Sequence, residues 1–254
     1  MAILTLEQKL TQLQCMSAPA FLAAWGERHP AERAAVRAVL EALVDHELAR
    51  RRERLVAARI RAAKFVEVQT ADTFDFEYNV ATRKLRSRYL NLLATDLVAE
   101  GIGALFVGRS GLGKTHLARA LGYALCQRGH RVLYTTLAAL VNHLSAAEVT
   151  KSLHHALKTY QSPACLIVDE LGYVALRQPD GHLVFQVISA RHDRKKPTVV
   201  TTNRAPSEWN QTFADDAVAH AILDRLAQRA EVFHLEGKSY RETHRCLPPK
   251  VSQP

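Results

Sequence analysis

Gly108-Arg109-Ser110-Gly111-Leu112-Gly113-Lys114-Thr115 decides the reading of this chain, because it follows directly on the apolar run Gly103-Ala104-Leu105-Phe106-Val107. A strand, a glycine-rich turn and a helix start, in that order, form a phosphate-binding loop. Glycines let consecutive backbone N–H groups turn inward on phosphate oxygens, and the helix that follows adds the positive end of its dipole. Lys114 would reach the β- and γ-phosphates, and the Thr115 hydroxyl would hold Mg²⁺. A nucleoside triphosphate is the expected ligand.

Outward from this loop, short apolar runs at 104–107, 131–135, 165–168, 198–202 and 232–235 alternate with helical segments. The runs are continuous rather than alternating in polarity, as in strands buried on both faces of a parallel sheet. The expected class is α/β with five parallel strands. Ligands in such sheets sit at the carboxyl ends of the strands, so the polar residues there become the candidates for chemistry. Leu166-Ile167-Val168 ends in Asp169-Glu170. Asp169 would serve the metal, directly or through water, and Glu170 would orient and deprotonate an attacking water. Asn203, after the 198–202 run, could hold that water or read the γ-phosphate if its strand lies between the other two. A plain turn asparagine is the alternative. Arg225 and Arg241 each read as a surface charge or as a cation brought to a γ-phosphate, where it would neutralise charge that develops during transfer.

Residues 5–65 read as helical throughout. Leu6, Leu10 and Leu13 recur at helical spacing after a Thr5–Gln8 capping box, and Val36, Leu40 and Leu43 continue the pattern after Pro30. This predicts a small helical domain over 1–66, followed by the nucleotide-binding domain over 67–254, with the aperiodic stretch 70–78 as linker. The helical region ends in Arg50, Arg51, Arg52, Arg54, Arg59, Arg61 and Lys64, against the single acid Glu53 within that span. Such a run is either a solvated helix face or a surface that contacts DNA phosphates. Arg83, Lys84, Arg86 and Arg88 form a second cluster, and Lys151, His154, His155 and Lys158 lie in a segment, 137–160, longer than a minimal crossover needs.

Lys and Arg exceed Asp and Glu by 34 to 25, a formal charge of +9, which favours a polyanionic partner. Cys15, Cys126, Cys165 and Cys246 are scattered without a C-x-x-C pair, so neither a disulfide framework nor a zinc site is expected. No apolar stretch approaches the roughly 18 residues that span a bilayer, and Glu7 and Lys9 interrupt any leader pattern. The expected compartment is the cytoplasm.

These strings resemble the AAA+ ATPases, specifically the transposition helpers of the IstB type and the related helicase loader DnaC. The resemblance rests on Gly-Leu-Gly-Lys-Thr-His-Leu-Ala (111–118), Val-Asp-Glu-Leu-Gly-Tyr (168–173), Thr-Thr-Asn (201–203), Ser-Glu-Trp (207–209), Ile-Leu-Asp-Arg-Leu (222–226) and Ser-Tyr-Arg (239–241). It implies ATP and Mg²⁺ as cofactors, with His116 closing the nucleotide contacts. It also implies Asn203 as first sensor, Arg225 as an arginine acting on a neighbouring subunit, and Arg241 as second sensor. The short stretch after residue 235 predicts an AAA+ core without a C-terminal helical lid, its site completed by another subunit. The resulting expectation is a homo-oligomer with ATP between subunits that assembles on double-stranded DNA, deforms it and delivers it to a cognate transposase. A DnaC-like loader on single-stranded DNA is the alternative. A metabolic P-loop kinase would need an acceptor lid that the sequence does not offer.

Overall fold

The computed structural model describes residues 4–29 and 31–243 and divides into two compact units, residues 1–58 and 59–254. Pro30 and Cys246 lie outside the described residues. The division falls inside a helix, upstream of the boundary expected after residue 66.

The first unit holds α1 (Leu6–Gln12), α2 (Ala18–Arg28) and most of α3 (Arg33–Ala62). Thr5 and Gln8 exchange the reciprocal bonds of a capping box, at 2.9 and 3.3 Å. Leu6, Leu10 and Val44 are buried together, with Leu13, Leu22, Leu40 and Leu48 packed around them. The buried stripe of α3 is thus Leu40–Val44–Leu48, and the expected Leu43 is 61% exposed. Steps of three and four both keep to one helix face. Packing against α1 and α2 selects the row spaced by four.

The second unit is built on β1 (Gly103–Gly108), β2 (Val132–Thr136), β3 (Cys165–Leu171), β4 (Thr198–Thr202) and β5 (Ala230–Leu235), all parallel in the order β2-β3-β4-β1-β5. The connecting helices are α4 (Val80–Ala94), α5 (Leu97–Glu100), α6 (Lys114–Gln127), α7 (Leu137–Val149), α8 (Leu153–Gln161), α9 (Gln178–Asp193) and α10 (Asp216–Ala227). Among the described residues the four-residue α11 (Tyr240–Thr243) follows β5, and no helix is long and apolar enough to cross a membrane.

Alternate residues of each strand enter two separate apolar cores, although every run is apolar throughout. Ala104, Phe106, Val132, Tyr134, Cys165, Ile167 and Val199 pack under α4 and α6. Leu105, Val107, Leu133, Leu166, Val168 and Val200 pack under α7 to α10. Side chains at a period of two must divide this way when helices cover both faces. The same parity puts residues 134 and 201 on the face of α6 and, one step past its run, residue 169 as well.

Candidate nucleotide-binding site

The loop between β1 and α6 has the backbone that its glycines predicted. Gly111 and Gly113 take φ of 80° and 87°, the left-handed region that only glycine enters freely. A β-carbon at Gly111 would strike the Ser239 hydroxyl, and one at Gly113 the ring of Phe74. Both positions are therefore closed to larger residues by conformation and by space. Lys114, 6% exposed, donates from Nζ to the Arg109 carbonyl at 2.8 Å. Burial holds its ammonium below the usual lysine range, with Asp169 opposing and Arg241 adding to the shift. A triphosphate in the loop would offset that desolvation, so the lysine is placed to exchange a carbonyl for phosphate oxygens.

Asp169 is 2% exposed and gathers four donors. The Thr115 hydroxyl donates to its Oδ1 at 3.0 Å. The Thr201 hydroxyl and the Glu170 N–H donate to the same oxygen, while the Tyr134 hydroxyl donates to Oδ2. With its one proton given to Asp169, the Thr115 oxygen keeps its lone pairs for a cation, which is the donor set Mg²⁺ prefers. These residues fit Mg²⁺ held by Thr115 and Asp169. Burial, followed by the bond to Asp169, pushes the Tyr134 hydroxyl up to about 12, so it stays a proton donor.

β3 does not stop before the two carboxylates. It runs on to Leu171, with a register irregularity between Val168 and Leu171, and Glu170 adopts φ of 62°. The irregularity lets Asp169 turn inward while Glu170 remains exposed at the rim of the same cleft. β4 does lie between β1 and β3, as the role foreseen for Asn203 requires. Asn203 itself is exposed just past the strand, and the β4 residue that lines the cleft is Thr201.

The cleft encloses about 560 Å³ and runs from Ser110 through His116, lacking Gly108 and Arg109 from its wall. Residues 70–78, expected to be a linker, instead form part of that wall. His116 Nε2 donates to the Thr70 carbonyl at 2.9 Å, and Phe74 packs edge-on to both Phe76 and His116. The aperiodic pattern of this stretch reflects its path over the start of α6, where each aromatic residue meets a different neighbour. From the other side Tyr240 N–H donates to the Gly111 carbonyl at 2.9 Å, which brings Arg241 into the lining.

Arg225 lies elsewhere. It stacks on Phe185 with 4.7 Å to the ring centre, donates to Ser189 at 3.2 Å, and borders a shallow hollow with Gly101, Gly103 and Thr198. Gly103 and Thr198 begin β1 and β4, so Arg225 sits at the amino end of the sheet. The phosphate loop is at the carboxyl end, on the order of 15–20 Å away along a strand of this length.

In α3, Arg50, Arg51, Arg52 and Arg54 are exposed, with Arg51 paired to Glu47 at 3.0 Å. Beyond the unit division Arg61 and Lys64 are exposed and Arg59 is half-buried. By contrast, Arg83 and Arg86 of α4 share Glu77, and Arg88 pairs with Glu231 at 2.6 Å. Segment 137–160 resolves into α7 and α8, with His154 and His155 adjacent on the latter.

A sequence profile of the IstB-like ATP-binding protein family matches residues 8–247. The chain belongs to this family. It is 34% identical over 199 residues to the insertion sequence IS5376 putative ATP-binding protein of Geobacillus stearothermophilus, covering 78% of each chain. It is 32% identical over 191 residues to the insertion sequence IS21 putative ATP-binding protein of Pseudomonas aeruginosa, covering 75% of this chain and 71% of that one. Among solved structures the DnaC helicase loader superposes with a TM-score of 0.59 at 21% identity, over 66% of this chain and 97% of the other. AMPPCP-bound DnaA from Aquifex aeolicus gives 0.56 at 17% identity, over 68% and 51%. Those two likenesses establish the AAA+ P-loop fold. Family and fold together make this IstB-like chain an ATPase.

Sequence reasoning missed Tyr134, Thr201, Arg119 and Phe74 as parts of the cleft. Strand parity would have found Tyr134 and Thr201, since 134, 169 and 201 continue the α6-facing series.

Proposed function

We propose that this protein is an ATP-dependent DNA-binding helper that oligomerises on duplex target DNA, deforms it and delivers it to a partner transposase, with ATP hydrolysis controlling assembly. Membership of a family whose named relatives are insertion-sequence ATP-binding proteins supports this reading. The exposed arginines of α3 supply phosphate contacts independent of sequence, so binding is salt-sensitive. Placement of Arg225 at the amino end of the sheet carries the oligomer. An arginine that far from its own phosphate loop does not reach its own nucleotide, and its action on a neighbour's would couple hydrolysis to assembly.

In the proposed site Lys114 and the loop N–H groups hold the phosphates, Thr115 and Asp169 hold Mg²⁺, and Glu170 takes the proton of the lytic water. Bound Mg²⁺ supplies neutralisation of phosphate charge. Asn203, one residue past β4, orients the water, and Arg241 contacts the nucleotide from α11. Gly108, Arg109, Ser110, Leu112 and His116 shape the loop around it.

Electron microscopy of Glu170→Gln protein with ATP and Mg²⁺, on equal lengths of duplex and single-stranded DNA, tests the reading. Ordered oligomers on bent duplex support it. Assemblies confined to single strands would instead favour a loader acting on a replicative helicase.

A further inference from the structure

Among the described residues, the Tyr134 hydroxyl is the group that holds the second oxygen of Asp169, and it is itself held from behind. Tyr134 ends the apolar part of β2, 6% exposed, on the sheet face covered by α6. A buried phenol must place its proton, and here the acceptor is Asp169 Oδ2. Arg119, one turn into α6 from Thr115, donates from Nη2 to the same phenol oxygen at 2.8 Å and lies 4.7 Å over the ring. The hydroxyl therefore accepts from a guanidinium and donates to a carboxylate, and each bond polarises the next in the same sense. All three side chains line the nucleotide cleft.

We propose that Tyr134, backed by Arg119, is a positioning residue that fixes the rotation of the Asp169 carboxylate so that Oδ1 stays directed at the Thr115 hydroxyl, the pair that would hold Mg²⁺. The proposal rests on the reading of Asp169 as the metal-side carboxylate. Oδ1 is shared by Thr115, Thr201 and the Glu170 N–H, all of which lie on one side of the carboxylate's work. Oδ2 has Tyr134. Removing that hydroxyl leaves Oδ2 without its donor, so that rotation about the Cβ–Cγ bond is restrained from Oδ1 alone. The loop's hold on phosphate, made by Lys114 and backbone N–H groups, does not pass through Tyr134. Its role is thus confined to the metal step, and the expected signature separates metal from phosphate.

The test uses the full chain with Tyr134→Phe, which keeps the ring under Arg119 and deletes only the hydroxyl. Binding of N-methylanthraniloyl-ATP is titrated in EDTA and then against Mg²⁺. Affinity in EDTA should remain within about twofold of wild type, while the Mg²⁺ concentration for half-maximal binding rises about tenfold, the scale of removing the group that supports a metal ligand. Arg119→Met should shift the same midpoint in the same direction by less, and Arg119→Lys should restore most of it. An unchanged Mg²⁺ midpoint in Tyr134→Phe, or an equal loss of affinity in EDTA and in Mg²⁺, would overturn the proposal. Should Tyr134→Phe fail to fold, the Arg119→Met midpoint decides by the same criterion. If Mg²⁺ adds nothing to binding by the wild type, the metal reading of Asp169 falls and this proposal falls with it.

Discussion

At the scale of single residues, the division of labour between Asp169 and Glu170 comes from one backbone irregularity. Consecutive residues of a regular strand point to opposite faces, so the second carboxylate would be driven into the core under α7 to α10. The positive φ of Glu170 and the register shift before Leu171 prevent this, leaving Asp169 buried among hydroxyls and Glu170 open to solvent. Such a conformation in a non-glycine residue costs on the order of 1 kcal/mol or more and persists because the surrounding bonds hold it. The Glu170 N–H bond to Thr201 at 3.1 Å is one of them. Glu170→Gln keeps the shape and removes the base, so the ATPase rate should fall by about 10²- to 10⁴-fold with ATP affinity retained. Steady-state phosphate release, measured beside nucleotide binding, checks this. A parallel loss of binding would move Glu170 from base to ligand.

At the scale of elements, two helices carry opposite uses of arginine. Arg191 of α9 is fully buried without a carboxylate. It bonds the carbonyls of Tyr160, Pro163, Ala164 and Pro197 and the Thr198 hydroxyl, which ties the end of α8 to the starts of β3 and β4. Burial lowers its pKa to about 10, so it remains a cation at neutral pH. Arg191→Ala strands those carbonyls and opens a cavity, and it should destabilise the protein by about 3–5 kcal/mol in urea denaturation. The arginines of α3 are exposed instead, and among the described residues Arg50, Arg52 and Arg54 have no ion pair. Replacing Arg50, Arg51, Arg52 and Arg54 by Gln should weaken binding to every duplex sequence. It should also flatten the dependence of log K on log salt by about 0.9 for each phosphate that is no longer neutralised. Anisotropy titrations across salt would show it, and an unaltered slope would return these arginines to the role of a solvated face.

At the scale of the whole molecule, Arg225 and the phosphate loop occupy opposite ends of one sheet. An assembly that passes the arginine of one chain to the nucleotide of the next makes two different inactive variants complementary. Arg225→Ala keeps the base and loses the arginine, while Glu170→Gln keeps the arginine and loses the base. Mixed in equal amounts and assembled at random, they should regain about a quarter of the wild-type ATPase rate, because one interface in four joins an intact site to an intact arginine. Each variant alone should stay inactive. Failure of the mixture to recover would confine the effect of Arg225 to its own chain.

The sequence by itself determined the phosphate loop, the parallel sheet and the acidic end of β3. Each is written in a contiguous string whose backbone or burial demand is local: glycine at left-handed φ, unbroken apolar runs, a hydroxyl after a lysine. Tertiary structure decided what those strings meet. The order β2-β3-β4-β1-β5 brings Tyr134, Asp169 and Thr201 onto one face beneath α6. The aperiodic stretch 70–78 became a wall because Gly113 leaves room for Phe74 and His116 binds the Thr70 carbonyl. The stripe of α3 moved from Leu43 to Val44 because its neighbours, rather than its own period, chose the buried side. Residues distant in the chain meet only once strand order and helix faces are settled, and no local pattern records that choice.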